Sequence, residues 1–232
     1  MNYFNSITKK PFMRKIKILL SLIAILGITN TVISQNSERS FNEILHTYYL
    51  EKDDNLVSNS IEFFNHTNPN NKSLEHIITG FYGGLFLKSS EIKKEFKLNI
   101  EKFENDNIKY LFSRLIENDI EKIMKEHPVL PSLNDMNWSA FFSTGDSKYL
   151  EVILKNTLEA QNRIDLNLFL TGASAKWSLC SNSQVHKKVK EFLESNTQYK
   201  EQTNQILNNR PLDLKNKMIE IIKEQRSKGV WN

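Results

Sequence analysis

The chain has 232 residues, 39% hydrophobic and 25% charged, which is ordinary globular composition and excludes a wholly disordered polymer. Its 7 glycines and 5 prolines supply too few tight turns for a many-hairpin sandwich or barrel. Five of the 31 basic residues precede residue 35, where no acidic residue occurs; residues 35–232 therefore carry 26 basic against 27 acidic side chains, and nucleic-acid binding, which needs clustered excess cations, is not expected.

Those five cations are Lys9, Lys10, Arg14, Lys15 and Lys17. An apolar run from Ile18 to Ile28 follows, then Val32-Ile33-Ser34 ahead of Gln35, which is the order of a secretory signal. Residues 1–34 are expected to be a signal peptide, with residues 1–12 an upstream extension if Met13 is the true start. Retention as an anchor is the alternative, but the run is shorter than the roughly 20 apolar residues that span a bilayer. The expected product is exported, periplasmic or extracellular, with no stable membrane span after cleavage. Cys180 is the single cysteine, so no intramolecular disulfide is available and stability must come from packing.

Residues 35–232 read as a single all-helical domain of about nine helices, because apolar residues recur at intervals of three and four and no stretch sustains period-two alternation. Helices at about 38–51 and 54–66 carry Phe41, Ile44, Leu45, Tyr48 and Leu56, Val57, Ile61, Phe64. After a loop at 67–72, Ser73 is placed to cap a helix whose Ile77, Ile78, Phe81 and Leu85 share a face. A long amphipathic helix is expected from about Asn107 to Glu126, ended by His127-Pro128. Ser132 with Asp135 has the spacing of a capping box for the helix of Trp138, Phe141 and Phe142.

Gly145 can close that helix in the left-handed conformation, and Asp146 can cap the next, which holds Tyr149, Leu150 and Ile153. A helix at about 161–181 places Ile164, Leu168, Ala175 and Leu179 on one stripe, with Gly172, Ala173 and Lys176 beside it. Ser181-Asn182-Ser183 is expected to turn, followed by a short helix of Val185, Val189, Phe192 and Leu193 and by helices at about 198–208 and 212–226. Consecutive helices with short turns predict antiparallel pairs, either a short α-solenoid of the tetratricopeptide type or an irregular helical bundle. Phe81–Ser90 and Asn137–Asp146 resemble one another, a hint of internal repetition without a fixed period.

Catalytic signals are weak. Gly172-Ala173-Ser174-Ala175-Lys176 lacks the second glycine of a nucleophile elbow and lies in a helical pattern, and Ser90 with Lys93 lacks the companion motifs of S-x-x-K chemistry. Cys180 and His186 are the best thiol and base by proximity, yet a buried structural cysteine explains Cys180 as well. His46, His66, His76, His127 and His186 include no H-E-x-x-H or H-x₃-H pair, and neither G-x-G-x-x-G nor a Walker pattern occurs, so no metal, no cofactor and no catalytic residue is assigned. The most individual feature is an aromatic cluster with polar neighbours. Trp138, Phe142, Asp146, Tyr149, Trp177 and His186 are the candidate binding residues, since tryptophan and tyrosine anchor partner grooves as well as cores.

Residues 137–149 with 173–189 carry W-x-x-F-F-x-T-G-D from Trp138 to Asp146, A-x-W-S-L-x-x-N from Ala175 to Asn182, and H-x-x-V from His186 to Val189. Over about residues 132–194 the chain resembles a family of exported bacterial helical proteins with no assigned activity; the resemblance implies a helical fold and carries over no site residue. The expectation for function is a non-enzymatic binding or scaffold module for a protein or peptide partner. An extracytoplasmic hydrolase and a small-molecule or lipid carrier are the alternatives.

Overall fold

The structure, a computed structural model, describes residues 39–66 and 72–231. The expected signal peptide and residues 67–71 of the expected loop lie outside the described residues, and Lys72, expected in that loop, is helical. Helix is the only regular structure among the described residues: twelve α-helices joined by short turns and two 3-10 segments. Helix α1 (Phe41–Thr47) starts on a true capping box, in which Ser40 accepts from the Glu43 backbone N–H while the Glu43 carboxylate accepts from Ser40. Helices α2 (Leu56–His66) and α3 (Lys72–Lys88) follow; α3 begins one residue ahead of Ser73, which is therefore inside the helix. Ser89 caps α4 (Ser90–Asn99) by accepting from the Ile92 N–H.

The long helix expected over 107–126 is two. Helix α5 (Asp106–Glu117) stops where Asn118 turns extended, and Asp119 accepts the Lys122 N–H at 3.0 Å to start α6 (Ile120–Lys125). The apolar spacing runs through the break, but an aspartate that satisfies an orphan N–H favours a new start over continuation. Helix α7 (Pro131–Thr144) begins with proline in its first turn, Leu130 as its cap residue and no side-chain cap; Ser132 is already inside the helix, so Ser132 and Asp135 form no capping box. Gly145 closes α7 at φ 68°, as expected, donating its N–H to Phe141. Asp146 accepts from the Lys148 N–H at 3.0 Å and so supports the start of α8 (Lys148–Asn156).

Helix α9 (Leu166–Ser183) starts later than the pattern indicated, because Asp165 caps it through the Asn167 and Leu168 N–H groups. Ile164 falls before the helix and is exposed. Ser181-Asn182-Ser183 does not turn: Asn182 bonds back to the Ser178 carbonyl within the helix. Val185 is an exposed linker residue ahead of α10 (Lys187–Ser195); α11 (Lys200–Leu207) and α12 (Pro211–Ser227) complete the chain. Trp231 then buries its ring against Phe169, 4.9 Å between centroids, and donates to the Ile164 carbonyl.

The order long helix, short helix, 3-10 turn, Asx-capped helix occurs twice, as α3, α4, Ile100–Lys102, α5 and as α7, α8, Thr157–Gln161, α9. Asn105 caps α5 as Asp165 caps α9, each accepting from the two N–H groups that lie two and three residues on. Each set has its own core. The first centres on Tyr82 and the rings of Phe64, Phe96 and Phe112, and Tyr82 donates to Ser60, which passes its hydrogen to the Leu56 carbonyl. The second gathers Trp138, Phe141, Leu150, Ile153, Leu179 and Leu193. Each fully buried ring or aliphatic side chain contributes about 1.5–3 kcal/mol.

The two sets meet through α3 and α7, the most extensive helix contact in the fold. A β-carbon on Gly80 would overlap the Met136 carbonyl oxygen, and one on Gly84 would press on Ser143, so small residues let the backbones touch. Gly80 faces Met136, Gly84 faces Ala140, and Lys88 reaches the Thr144 carbonyl at 2.6 Å. The contacts advance together, so these helices run in the same direction. A parallel contact between the first helices of two successive, similarly ordered sets fits the stacking of neighbouring repeats as well as an irregular helical bundle. Residues Arg39–Asn232 form one compact unit, and no described helix is long and apolar enough to cross a membrane.

Candidate binding groove

The six candidate residues do not form one surface. Trp138 and Phe142 are core: their rings stack at 5.5 Å, and Trp138 donates Nε1–H to Ser178 Oγ at 2.9 Å. His186 lies beside Phe142, 5.1 Å between centroids, under α1. The Tyr49 hydroxyl and His186 Nδ1 share a hydrogen bond of 3.0 Å, His46 flanks the same Phe142 ring at 5.4 Å, and the Tyr49 N–H donates to the Phe142 carbonyl. Burial, aided by nearby His46, pushes His186 down to about 4, so its imidazole is neutral. Trp177 is half-buried on α9, apart from this seam. Cys180 donates to the Asn209 carbonyl and His186 is engaged by Tyr49, so the thiol and the imidazole serve different partners.

Asp146 is exposed at the turn and pairs with Lys148 at 3.7 Å. Tyr149, the last of the six, faces elsewhere: it lines a groove of about 610 Å³ between α6, the 126–130 loop, α7 and α8. Burial, with Asp146 and Glu121 nearby, pushes its hydroxyl up to about 12, and Lys148 Nζ sits 5.0 Å over its ring.

Sequence reasoning missed most of the groove. Its walls are Leu87, Val129, Val152 and Leu158, each more than a third exposed, with Met124 and Leu133 deeper. Lys125, Lys148 and Lys155 stand on the rim with Glu121, Glu159 and His127. The imidazole of His127 is oriented by donating Nδ1–H to the Pro128 carbonyl at 2.8 Å and meets His76 edge to face at 5.2 Å. Burial, with His127 beside it, holds His76 below its ordinary range. The floor is made by Asn137 and Asn156, both buried. The legible signal is in α8: Val152 falls outside the buried set Leu150, Ile153 and Leu154 and joins Tyr149 on a second face, which a helix serving only one core does not need.

An open, largely apolar concavity of this size with a few polar groups has the character of a binding site. No group of three or more His, Cys, Asp or Glu side chains among the described residues is arranged to hold a metal ion. Compared with known proteins, the chain matches no family model, no curated protein and no solved structure.

Proposed function

We propose that this chain is an exported, non-enzymatic binding module whose groove between α6 and α8 receives an apolar segment of a protein or peptide partner. One observation carries the reading. Four of the exposed large apolar side chains, Leu87, Val129, Val152 and Leu158, come from four different parts of the chain and converge on a single concavity. Scattered exposed aliphatics need no explanation, but convergent ones in a groove rimmed by charge mark an interaction site. Tyr149 adds a rigid aromatic anchor at its edge. Trp138 and Phe142 enter this reading as the rigid support behind α8, not as contact residues.

Site-specific photo-crosslinking tests it. A photoreactive residue at Val152 should give a discrete peptide or protein adduct in the exporting host, while the same residue at exposed Ile164, outside the groove, should not. Equal adducts at both positions, or none at Val152, would count against the groove.

A further inference from the structure

The groove floor has a fixed polarity. Asn134 donates Nδ2–H to the Thr171 carbonyl at 2.8 Å and to Ser174 Oγ at 3.1 Å. A backbone carbonyl can only accept, so the Asn134 amide must turn its nitrogen to Thr171 and its oxygen to Asn156. Asn156 then donates Nδ2–H to Asn134 Oδ1 at 2.8 Å, which leaves the Asn156 Oδ1 directed away from the relay. Asn137 is fixed by the same logic, because its Nδ2 donates to the Leu133 carbonyl at 2.8 Å.

Asn137 is 4% and Asn156 7% exposed, and both line the groove. Neither Oδ1 has a hydrogen-bond partner among the described residues, and neither is sealed from solvent. Buried polar atoms are ordinarily paired, so two unpaired acceptors on nearly buried residues that line an apolar groove call for hydrogen-bond donors carried on an apolar body. A hydrocarbon chain has none and would strip both oxygens of water without replacement. A peptide backbone offers N–H groups at regular spacing, with side chains to fill the apolar walls.

We propose that Asn137 and Asn156 accept backbone N–H groups from an extended apolar peptide segment in the groove. This rests on the reading of the groove as a peptide-binding site and adds the feature that selects peptide over lipid. The relay through Asn134 to Thr171 is then a positioning device: it keeps the Asn156 amide from flipping its nitrogen toward the ligand.

The test uses the full chain with labelled side-chain amides and three probes: acetyl-Leu-Ala-Leu-Ala-Leu-amide, the same peptide with every backbone nitrogen methylated, and dodecanoate. The expected result is binding of the first peptide with shifts of the Asn137 and Asn156 amide signals, and roughly tenfold or greater weakening on methylation, as loss of one or two hydrogen bonds to buried acceptors implies. Asn137→Leu should weaken the unmethylated peptide by a similar factor and leave the methylated one unchanged. Equal affinity for both peptides would overturn the donor proposal while leaving the groove a binding site. Binding of dodecanoate in preference to either peptide would overturn it in favour of an apolar carrier. Binding of no probe would overturn both the proposal and the reading it rests on.

Discussion

Tyr49 and His186, 137 residues apart in sequence, share a hydrogen bond of 3.0 Å between the phenol oxygen and Nδ1 of the imidazole. Burial holds the proton affinity of His186 down to about 4 against an ordinary 6.5. Between those values the unfolded chain binds a proton that the folded chain does not, so stability falls as pH drops from about 6.5 to about 4. His76, also lowered by burial, has the same sign. His186→Gln keeps a hydrogen-bonding partner for Tyr49 without titrating and should flatten the loss, read as the urea midpoint against pH; an unchanged slope would contradict the assignment.

Asp135 pulls the other way. It is half-buried on α7 with no side-chain hydrogen bond or ion pair among the described residues, and burial raises its carboxyl from 3.8 to about 7. The folded chain therefore binds a proton between those values that the unfolded chain lacks, and stability rises as pH falls through the window. Asp135→Asn should raise stability at pH 8 and unmask the full acid sensitivity of the histidines in the same titration. No gain at pH 8 would mean that the carboxylate is better solvated than its burial implies.

The contact of α3 with α7 makes a steric prediction. Gly80→Ala would drive a methyl group into the Met136 carbonyl, backbone against backbone, and Gly172→Ala would do the same at Ala160. Each should destabilise the fold by about 3 kcal/mol, at the upper end for overpacking, and lower Tm by roughly 10 °C. Gly229→Ala, on an exposed residue with no atom near its missing β-carbon but with φ 72°, should cost about 1 kcal/mol through backbone strain alone. Calorimetry of the three variants separates the two effects.

Trp138 packs in the core with Leu150, Ile153 and Leu154 of α8 and does not line the groove. Trp138→Phe retains a ring against Phe142 but loses the donor to Ser178, and should destabilise by about 1–3 kcal/mol. Ser178→Ala should do likewise by orphaning the indole N–H, and the double variant should fall short of the sum, since both remove one bond. Additive losses would show that the two side chains act independently.

The helical class was legible because 3.6-residue periodicity and the shortage of glycine and proline act along the whole chain. The breaks were less so. The apolar stripe of α5 runs on into α6, and only the capping strength of Asp119 separates them. The stripe that included Ile164 looked helical because Ile164 stands four residues ahead of Leu168, but it lies in the bend between the 3-10 segment and the Asp165 cap. The site was legible only at Tyr149. Trp138 and Phe142 carry the composition of an anchor but are enclosed by α1 and α9, an outcome set by long-range packing that no local spacing encodes. The groove residues were invisible for the opposite reason: Leu87, Val129, Val152 and Leu158 are unremarkable singly and become a site only where α3, α6, α7 and α8 meet. The resemblance of Phe81–Ser90 to Asn137–Asp146 did mark something physical, since these stretches end the two helices that pack in parallel at the centre of the fold.

The central claim is that the groove binds an apolar peptide segment, and the most direct measurement is the affinity of phage-selected peptides for the wild-type chain and for Val152→Asp. Val152 is 36% exposed on a helix surface, so the substitution should leave Tm within a degree or two. A carboxylate among apolar walls should weaken selected peptides at least tenfold, because burying it unpaired against an apolar segment is unfavourable. Selected peptides that bind the folded variant as tightly as wild type would contradict the account.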